Sequence, residues 1–255
     1  MPSPVQVTGS SDTGQVRRRN EDAIALLPEH GVAVVADGMG GHPGGDVASR
    51  IAADFTAGAL ADAAASSGSA GAFAGSMLPA VERTVVQAHH EIRARGTQEP
   101  HLSGMGTTLT AMVVDPASHA WVIGHVGDSR AYRLRAGSLE QLTRDDTWVQ
   151  QQIDNGIMQP SAARHSPYAH LLTQCLGLEE PPAPQVIGGR GEPGDVYLLC
   201  TDGLVGMLDD EAMAAILTRH APAGSADDAA VRELLEAANQ AGGHDNITAA
   251  LIRLV

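Results

Sequence analysis

The 255-residue chain contains no lysine. All 16 of its Lys+Arg positions are arginine, set against 30 Asp+Glu, for a formal charge of −14. That absence excludes chemistry built on an amine side chain: a GxxxxGK[ST] phosphate loop, a kinase strand lysine, a Schiff base or a Ser–Lys pair. An anion held by a cationic side chain must be held by Arg or by charged His. Aromatics make up only 3%, so the core must be built from Ala, Val, Leu and Ile. The two cysteines, Cys175 and Cys200, both sit in apolar surroundings; they read as small buried residues rather than a disulfide, and no zinc-type spacing exists. There is no run of 18 apolar residues, and Met1–Ser10 lacks the basic and apolar regions of a signal peptide. A cytoplasmic, monomeric chain is expected. The negative balance argues against nucleic-acid or membrane partners, which need basic patches.

Periodicity predicts strands at Val5–Thr8, Ala23–Leu27 and Val32–Ala36, then helices at Gly44–Leu60 and Leu78–Arg95. The Ala/Gly/Ser-rich joint Ala63–Ser76 reads as an exposed connection. Strands follow at Thr107–Val114, Ala120–His125 and Ala131–Leu134. Residues 143–184 are polar, Gln-rich and punctuated by Pro, with a short helix near Thr147–Asn155. A strand at Val196–Thr201, helices at Asp209–Arg219 and Ala226–Ala241, and a strand at Asn246–Leu254 complete the pattern. No stretch resembles a linker, so one domain over residues 1–255 with an insert at 143–184 is expected.

The acidic residues at strand ends carry the functional signal. Glu21-Asp22 and Asp37-Gly38 flank two apolar strands joined only by Pro28-Glu29-His30-Gly31. If that turn closes a hairpin, Asp22 opposes Asp37 and Glu21 opposes Gly38, with Cα atoms roughly 4.5–5.5 Å apart. Carboxylates crowded in this way repel each other unless a cation lies between them. Asp202-Gly203 ends one apolar run and Asp245-Asn246 begins another. Antiparallel pairing would bring these two acids to one sheet edge. Asp128, in Gly127-Asp128-Ser129-Arg130, also lies at a strand end. Taken singly, each is as well explained by a solvated strand end or an Asx turn; as a set, turns explain them poorly. Carboxylates and carbonyl oxygens suit a hard ion such as Mg²⁺ or Mn²⁺ rather than zinc.

Competing templates fail. The loop Asp37-Gly38-Met39-Gly40-Gly41-His42-Pro43 misses the dinucleotide fingerprint, because Pro43 stands where the third glycine is needed. His90-Glu91 lacks a second His, since Ala94 occupies that position, and Gly127–Ala131 lacks the last glycine of a nucleophile elbow. Arg17-Arg18-Arg19 reads either as a surface arm or, beside Asn20-Glu21-Asp22, as a fork for a phosphate.

Together these blocks resemble the metal-dependent serine/threonine protein phosphatases of type 2C in their compact bacterial form. The matching pieces, in family order, are Gly14-x-x-Arg17-x-x-Asn20-Glu21-Asp22, Asp37-Gly38-Met39-Gly40-Gly41-His42, Gly106-Thr107-Thr108, Gly127-Asp128-Ser129-Arg130, Thr201-Asp202-Gly203 and Asp245-Asn246. The resemblance implies an α+β fold, a four-layer α-β-β-α sandwich of two mainly antiparallel sheets. It also implies two Mn²⁺ or Mg²⁺ ions: Asp37 bridges both, Asp202 and Asp245 complete one site, and Glu21 with the Gly38 carbonyl belongs to the other. Asp128 with Asp202 would supply a third, weaker site. Arg17 would grip phosphate, and Asp22 would orient the attacking water. Many eukaryotic relatives have a proton-donating His directly after the Asp-Gly pair; here Met39 stands there, leaving His42 as the nearest donor. The insert matches the family's flap, although relatives often have His at the position of Asp146.

The implied activity is hydrolysis of phosphoserine or phosphothreonine in proteins, opposing a bacterial Ser/Thr kinase. Two ions roughly 3.5–4 Å apart can share a water, lower its pKa and place it in line with phosphorus. A non-catalytic regulatory module of the same fold is the alternative, and loss of ligands would be its mark. A hydrolase of small phosphoesters is a third reading.

Overall fold

The computed structural model describes residues 4–39, 44–67, 73–163, 166–220 and 227–255. Its strands are β1 (Val5–Asp12), β2 (Asp22–Leu27), β3 (Val32–Asp37), β4 (Leu109–Val114), β5 (Ala120–Val126), β6 (Arg130–Arg135), β7 (Ser138–Gln141), β8 (Gln185–Arg190), β9 (Val196–Cys200) and β10 (Ile247–Leu254). Its helices are α1 (Gly45–Ser66), α2 (Phe73–Gln98), α3 (Trp148–Asp154), α4 (Pro160–Ala163), α5 (Asp202–Val205), α6 (Asp210–Arg219) and α7 (Asp227–Gln240). No helix among the described residues is long and apolar enough to cross a membrane.

The strands form two five-stranded antiparallel sheets, ordered β1-β10-β9-β6-β7 and β2-β3-β4-β5-β8. Alternation along each central strand decides the layering, because successive side chains point to opposite faces. Ala33 and Val35 of β3 meet Leu199 and Ala250 of the other sheet between the layers. Val32, Val34 and Ala36 face α1 and α2 instead, in a core rich in alanine. Leu198, Leu251 and Ala249 pack against α6 and α7. The result is the four-layer α-β-β-α sandwich of the α+β class. Its low aromatic content is met by close approach of small side chains.

Several boundaries differ from the sequence reading for local reasons. β1 runs four residues past Thr8, because its pairing with β10 continues to Asp12–Ile247. Helix α1 continues to Ser66, as its alanine-rich sequence favours. Helix α2 starts at Phe73 and tolerates Pro79 within it. Residues 68–72 of the expected exposed joint lie outside the described residues. Strands β7 and β8 were not expected; both are short edge strands, and Gly188-Gly189 in β8 erase its strand signal. The insert does carry its short helix, capped by the Thr147 hydroxyl accepting from Gln150 N at 3.2 Å.

The turn Pro28–His30 closes the β2–β3 hairpin in the expected register, with Asp22 opposite Asp37. β9 and β10 pair with Cys200 opposite Ala249, which brings the segments beginning at Asp202 and ending at Asp245 to one edge. Close backbone approach there requires glycine: a Cβ on Gly203 would overlap the Asn246 carbonyl oxygen. The substitution Gly203→Ala is therefore expected to destabilise the protein by about 3 kcal/mol. A urea midpoint equal to that of the wild type would contradict this packing.

Candidate metal centre

Edges of both sheets, together with the insert, enclose a cleft of about 610 Å³. Glu21, Asp37, Asp128, Asp202 and Asp245 line it, with Gly38 and Arg17. Asp22 lies just behind, across the ladder from Asp37. Six carboxylates from four sequence-distant segments thus meet in one place. The outlier is His42, which falls outside the described residues.

Uncharged groups hold Asp22, Asp37 and Glu21 in place. Asp22 Oδ2 accepts hydrogen bonds from the hydroxyls of Thr201 (2.8 Å) and Thr248 (2.6 Å), while its buried Oδ1 has no protein partner. The Asp37 amide donates to Thr108 Oγ1 at 2.9 Å, and that oxygen also bonds Ser129 Oγ at 2.7 Å. The Asp37 carbonyl accepts from Thr107 Oγ1 and from Thr108 N. Glu21 is held by its backbone: its amide donates to Asn246 Oδ1 at 2.9 Å, and its carbonyl accepts from Ser49 Oγ at 2.6 Å and Gly38 N at 3.1 Å. Gly38 has no room for a Cβ, which would meet the carbonyl oxygens of Glu21 and Gly45. Asn246 Nδ2 also donates to the carbonyls of Thr13 and Arg19, tying the Arg17 loop to the start of β10.

Arg17 Nη2 donates to Asp245 Oδ2 at 2.6 Å, and both side chains remain partly exposed. The guanidinium therefore stands at the cleft mouth, within one side chain of the acidic rim. Arg18 and Arg19 do not line the cleft.

The insert closes the other side through residues 170–175. Asp146 anchors it: its amide donates to the Gly127 carbonyl (2.7 Å), its Oδ2 accepts from Gly127 N (3.0 Å), and its Oδ1 accepts from Gln174 Nε2 (3.1 Å). Asp146 thereby fixes the loop that presents Asp128. His170, which the sequence reading passed over, reaches the acids from the insert with Nδ1 3.2 Å from Asp202 Oδ2. No local pattern marks it, because its partners lie over thirty residues away. Thr201 and Thr248 were also missed as supports of Asp22; their only sequence signal is a hydroxyl at each end of an apolar strand.

The electrostatics are those of a cation site. Burial, reinforced by neighbouring acids, raises the Asp22 carboxyl from 3.8 to about 7 even against its two hydroxyl donors. Burial, then the charges of Asp22, Asp202 and Asp128, pushes Asp37 well above the usual carboxylate range. Burial and the Asp202 charge do the same to Asp128. Burial also opposes ionisation of Asp202, but the hydrogen bond and charge of His170 outweigh it and hold that carboxyl low. Such a set is strained as anions alone and is relieved by divalent cations. The orphaned Asp22 Oδ1 and the carboxylate-rich rim fit hard ions.

The sign of the pH dependence follows for protein stripped of divalent ions. A carboxyl whose folded pKa lies above its unfolded value stabilises while protonated; for Asp22 that contribution is complete below about pH 4 and lost as pH rises through about 7. The displacement corresponds to on the order of 4 kcal/mol. His125, buried with a lowered pKa, acts in the opposite sense, so Asp22 must be isolated by difference. In EDTA, wild type should lose more Tm than Asp22→Asn between about pH 5 and 8; parallel Tm curves would contradict the buried, raised carboxyl.

Residues 13–238 match the family model described as Protein phosphatase 2C. The serine/threonine protein phosphatase PstP of Mycobacterium tuberculosis is 37% identical over 245 residues, which cover 96% of this chain and 44% of that protein. The present chain thus spans less than half the length of that relative. The serine/threonine phosphatase stp of Listeria monocytogenes is 32% identical over 251 residues, covering 95% of this chain and 93% of its own. A crystal structure of the catalytic domain of a serine threonine protein phosphatase PstP in complex with two manganese ions matches with a TM-score of 0.81 at 33% identity, covering 98% of both chains. Matched over residues 13–238 and sharing the fold of these structures, the chain belongs to the protein phosphatase 2C family.

Proposed function

We propose that the chain is a metal-dependent protein serine/threonine phosphatase that hydrolyses phosphoserine and phosphothreonine. Residues 1–255 act in this reading as one catalytic domain, with residues 143–184 as its flap. The observation that carries the reading is the meeting of Glu21, Asp37, Gly38, Asp128, Asp202 and Asp245 with Arg17 at one cleft.

Asp37, whose carboxyl lies within hydrogen-bonding reach of Asp202, would be shared by two ions. Asp202 and Asp245 would complete one site, and Glu21 with the Gly38 carbonyl the other. Asp128 and Asp202 would hold a third ion. A bound pair of divalent ions supplies Lewis acidity, lowering the pKa of water and neutralising charge on a phosphoryl group. The protein's own groups do the rest. Asp22 offers Oδ1 as the acceptor that orients the attacking water, while Thr201 and Thr248 keep its carboxylate from turning. Arg17 exchanges one guanidinium partner, Asp245, for the non-bridging phosphate oxygens, whose charge it stabilises in the transition state. No nucleophilic side chain is needed: the Cys175 thiol is pushed up to about 11 by burial and is inert. The proton donor to the leaving oxygen is assigned to His42 or to solvent.

The substrate would be a phosphorylated protein supplied by a Ser/Thr kinase in the same cytoplasm, and the enzyme would act as a monomer. Phosphate release from a phosphothreonine peptide should require Mn²⁺ or Mg²⁺ and fall by at least about 10³ in Asp37→Ala and Asp202→Ala. Arg17→Ala should lower kcat/KM by about 10²-fold, the order of losing one charge-stabilising donor. Turnover unaffected by EDTA, or equal in the aspartate variants, would overturn the reading. Binding of a partner that survives both EDTA and ligand substitution, without turnover, would favour a regulatory module instead.

Metal should also stabilise the fold. One site filled at 100 times its Kd contributes about 2.7 kcal/mol. A melting curve that does not move when EDTA is added to Mn²⁺-loaded protein would exclude the site.

A further inference from the structure

Asp128, His170 and Asp202 each present a ligand atom, and the three atoms lie within 4.8 Å of one another. Among the described residues this is the one group of three or more His, Cys, Asp or Glu side chains gathered so tightly. Neighbouring ligand atoms at about 2.0–2.2 Å from one octahedral ion lie about 3 Å apart. His170 Nδ1 and Asp202 Oδ2, 3.2 Å apart, already stand close to that separation.

His170 is not placed there by packing. Its side chain is 78% exposed, and an ion pair so open to solvent contributes little stability. The backbone holds it: Leu171 N donates to Tyr168 O, and the Leu171 carbonyl accepts from Trp148 N. Tyr168 in turn packs edge-on against Trp148 of α3, with ring centroids 5.3 Å apart. The segment is thus fixed to the flap, while its imidazole reaches across to an acid at the start of α5. Asp128 arrives from a third element, the loop held by Asp146.

We propose that His170 is a metal ligand donated by the flap, making with Asp128 and Asp202 an Asp–His–Asp site whose ion fastens the flap to the rim of the sandwich. The inference rests on the metal-dependent reading above and adds a nitrogen donor to its third ion. Nδ1 cannot serve both functions at once. In charged His170 it carries a proton and donates to Asp202; in the neutral tautomer protonated on Nε2 it offers its lone pair to the ion, and the proton leaves to solvent as the ion enters. A nitrogen donor shifts preference from Mg²⁺ towards the later first-row ions, which imidazole suits, whereas oxygen suits Mg²⁺ and Mn²⁺. The third site would then respond to a different ion from the oxygen-lined pair, and its occupancy would report on flap position.

Mn²⁺ alone is the probe. Free Mn²⁺, counted by room-temperature EPR during titration of the full chain, should show a weaker third ion whose Kd rises tenfold or more in His170→Ala, with the tighter two unchanged. Asp128→Asn should weaken the same third ion while leaving His170 in place. Pulsed EPR of the three-ion protein should show ¹⁴N modulation on Mn²⁺ that disappears in His170→Ala. Hydrogen exchange over residues 166–172 should slow on adding the third equivalent to wild type and not to His170→Ala. A third ion bound equally well by His170→Ala, or nitrogen modulation that is absent in wild type or persists in the variant, would overturn the proposal. So would exchange that does not respond to the third ion. Two ions without a third would overturn it and leave the phosphatase reading standing, whereas no bound ion at all would overturn both.

Discussion

Mutual repulsion among carboxylates at one edge of a β-sandwich is the constraint on which the rest of this structure depends. Glu21, Asp22, Asp37, Asp128, Asp202 and Asp245 all approach the same cleft or the ladder just behind it. Left to itself such a group would splay apart or take up protons, and the raised carboxyls of Asp22, Asp37 and Asp128 record that tendency. It is resisted by stiffness. Asp37, Asp202 and Asp245 sit beside the ends of strands with buried interiors, and Glu21 and Asp22 at the start of the half-buried β2 paired to β3, so none can withdraw without breaking the ladder that carries it.

The supports of the acids are mostly neutral. Hydroxyls of Thr107, Thr108, Ser129, Thr201 and Thr248 and the amide of Asn246 reach them or their backbone. Such groups fix geometry without cancelling charge, which leaves the negative field available to cations. The arginine on the rim, Arg17, is partly exposed and can change partners at little cost. Charge is thus held rigidly where ions are needed and loosely where a phosphate must enter and leave.

The flap follows different rules. It contributes an exposed histidine, several exposed apolar side chains and a buried anchor, Asp146. Because Asp146 bonds both Gly127 and Gln174, the flap is tied to the Asp128 loop. Variation in the flap therefore acts on the acid rim as well as on any substrate.

Much of the site was legible in the chain because the signal is one of position. The Pro28–Gly31 turn fixes the hairpin register arithmetically, so Asp22 opposite Asp37 follows from counting, and the meeting of Asp202, just after Val196–Cys200, with Asp245, just before Ile247–Leu254, follows from antiparallel pairing. The layered fold was legible too, since apolar strands alternating with small-residue helices admit few arrangements. The edge strands β7 and β8 were not, because short, half-exposed, glycine-containing strands have almost no periodicity. Nor was the reach of His170, the support of Asp22 by Thr201 and Thr248, or the anchoring role of Asp146. The sequence by itself determined which acids lie at strand ends, because a period of two and a short turn are local facts. Only the tertiary structure decided which polar groups face those acids, because those contacts cross from flap to sheet and from sheet to sheet, where no spacing along the chain records them.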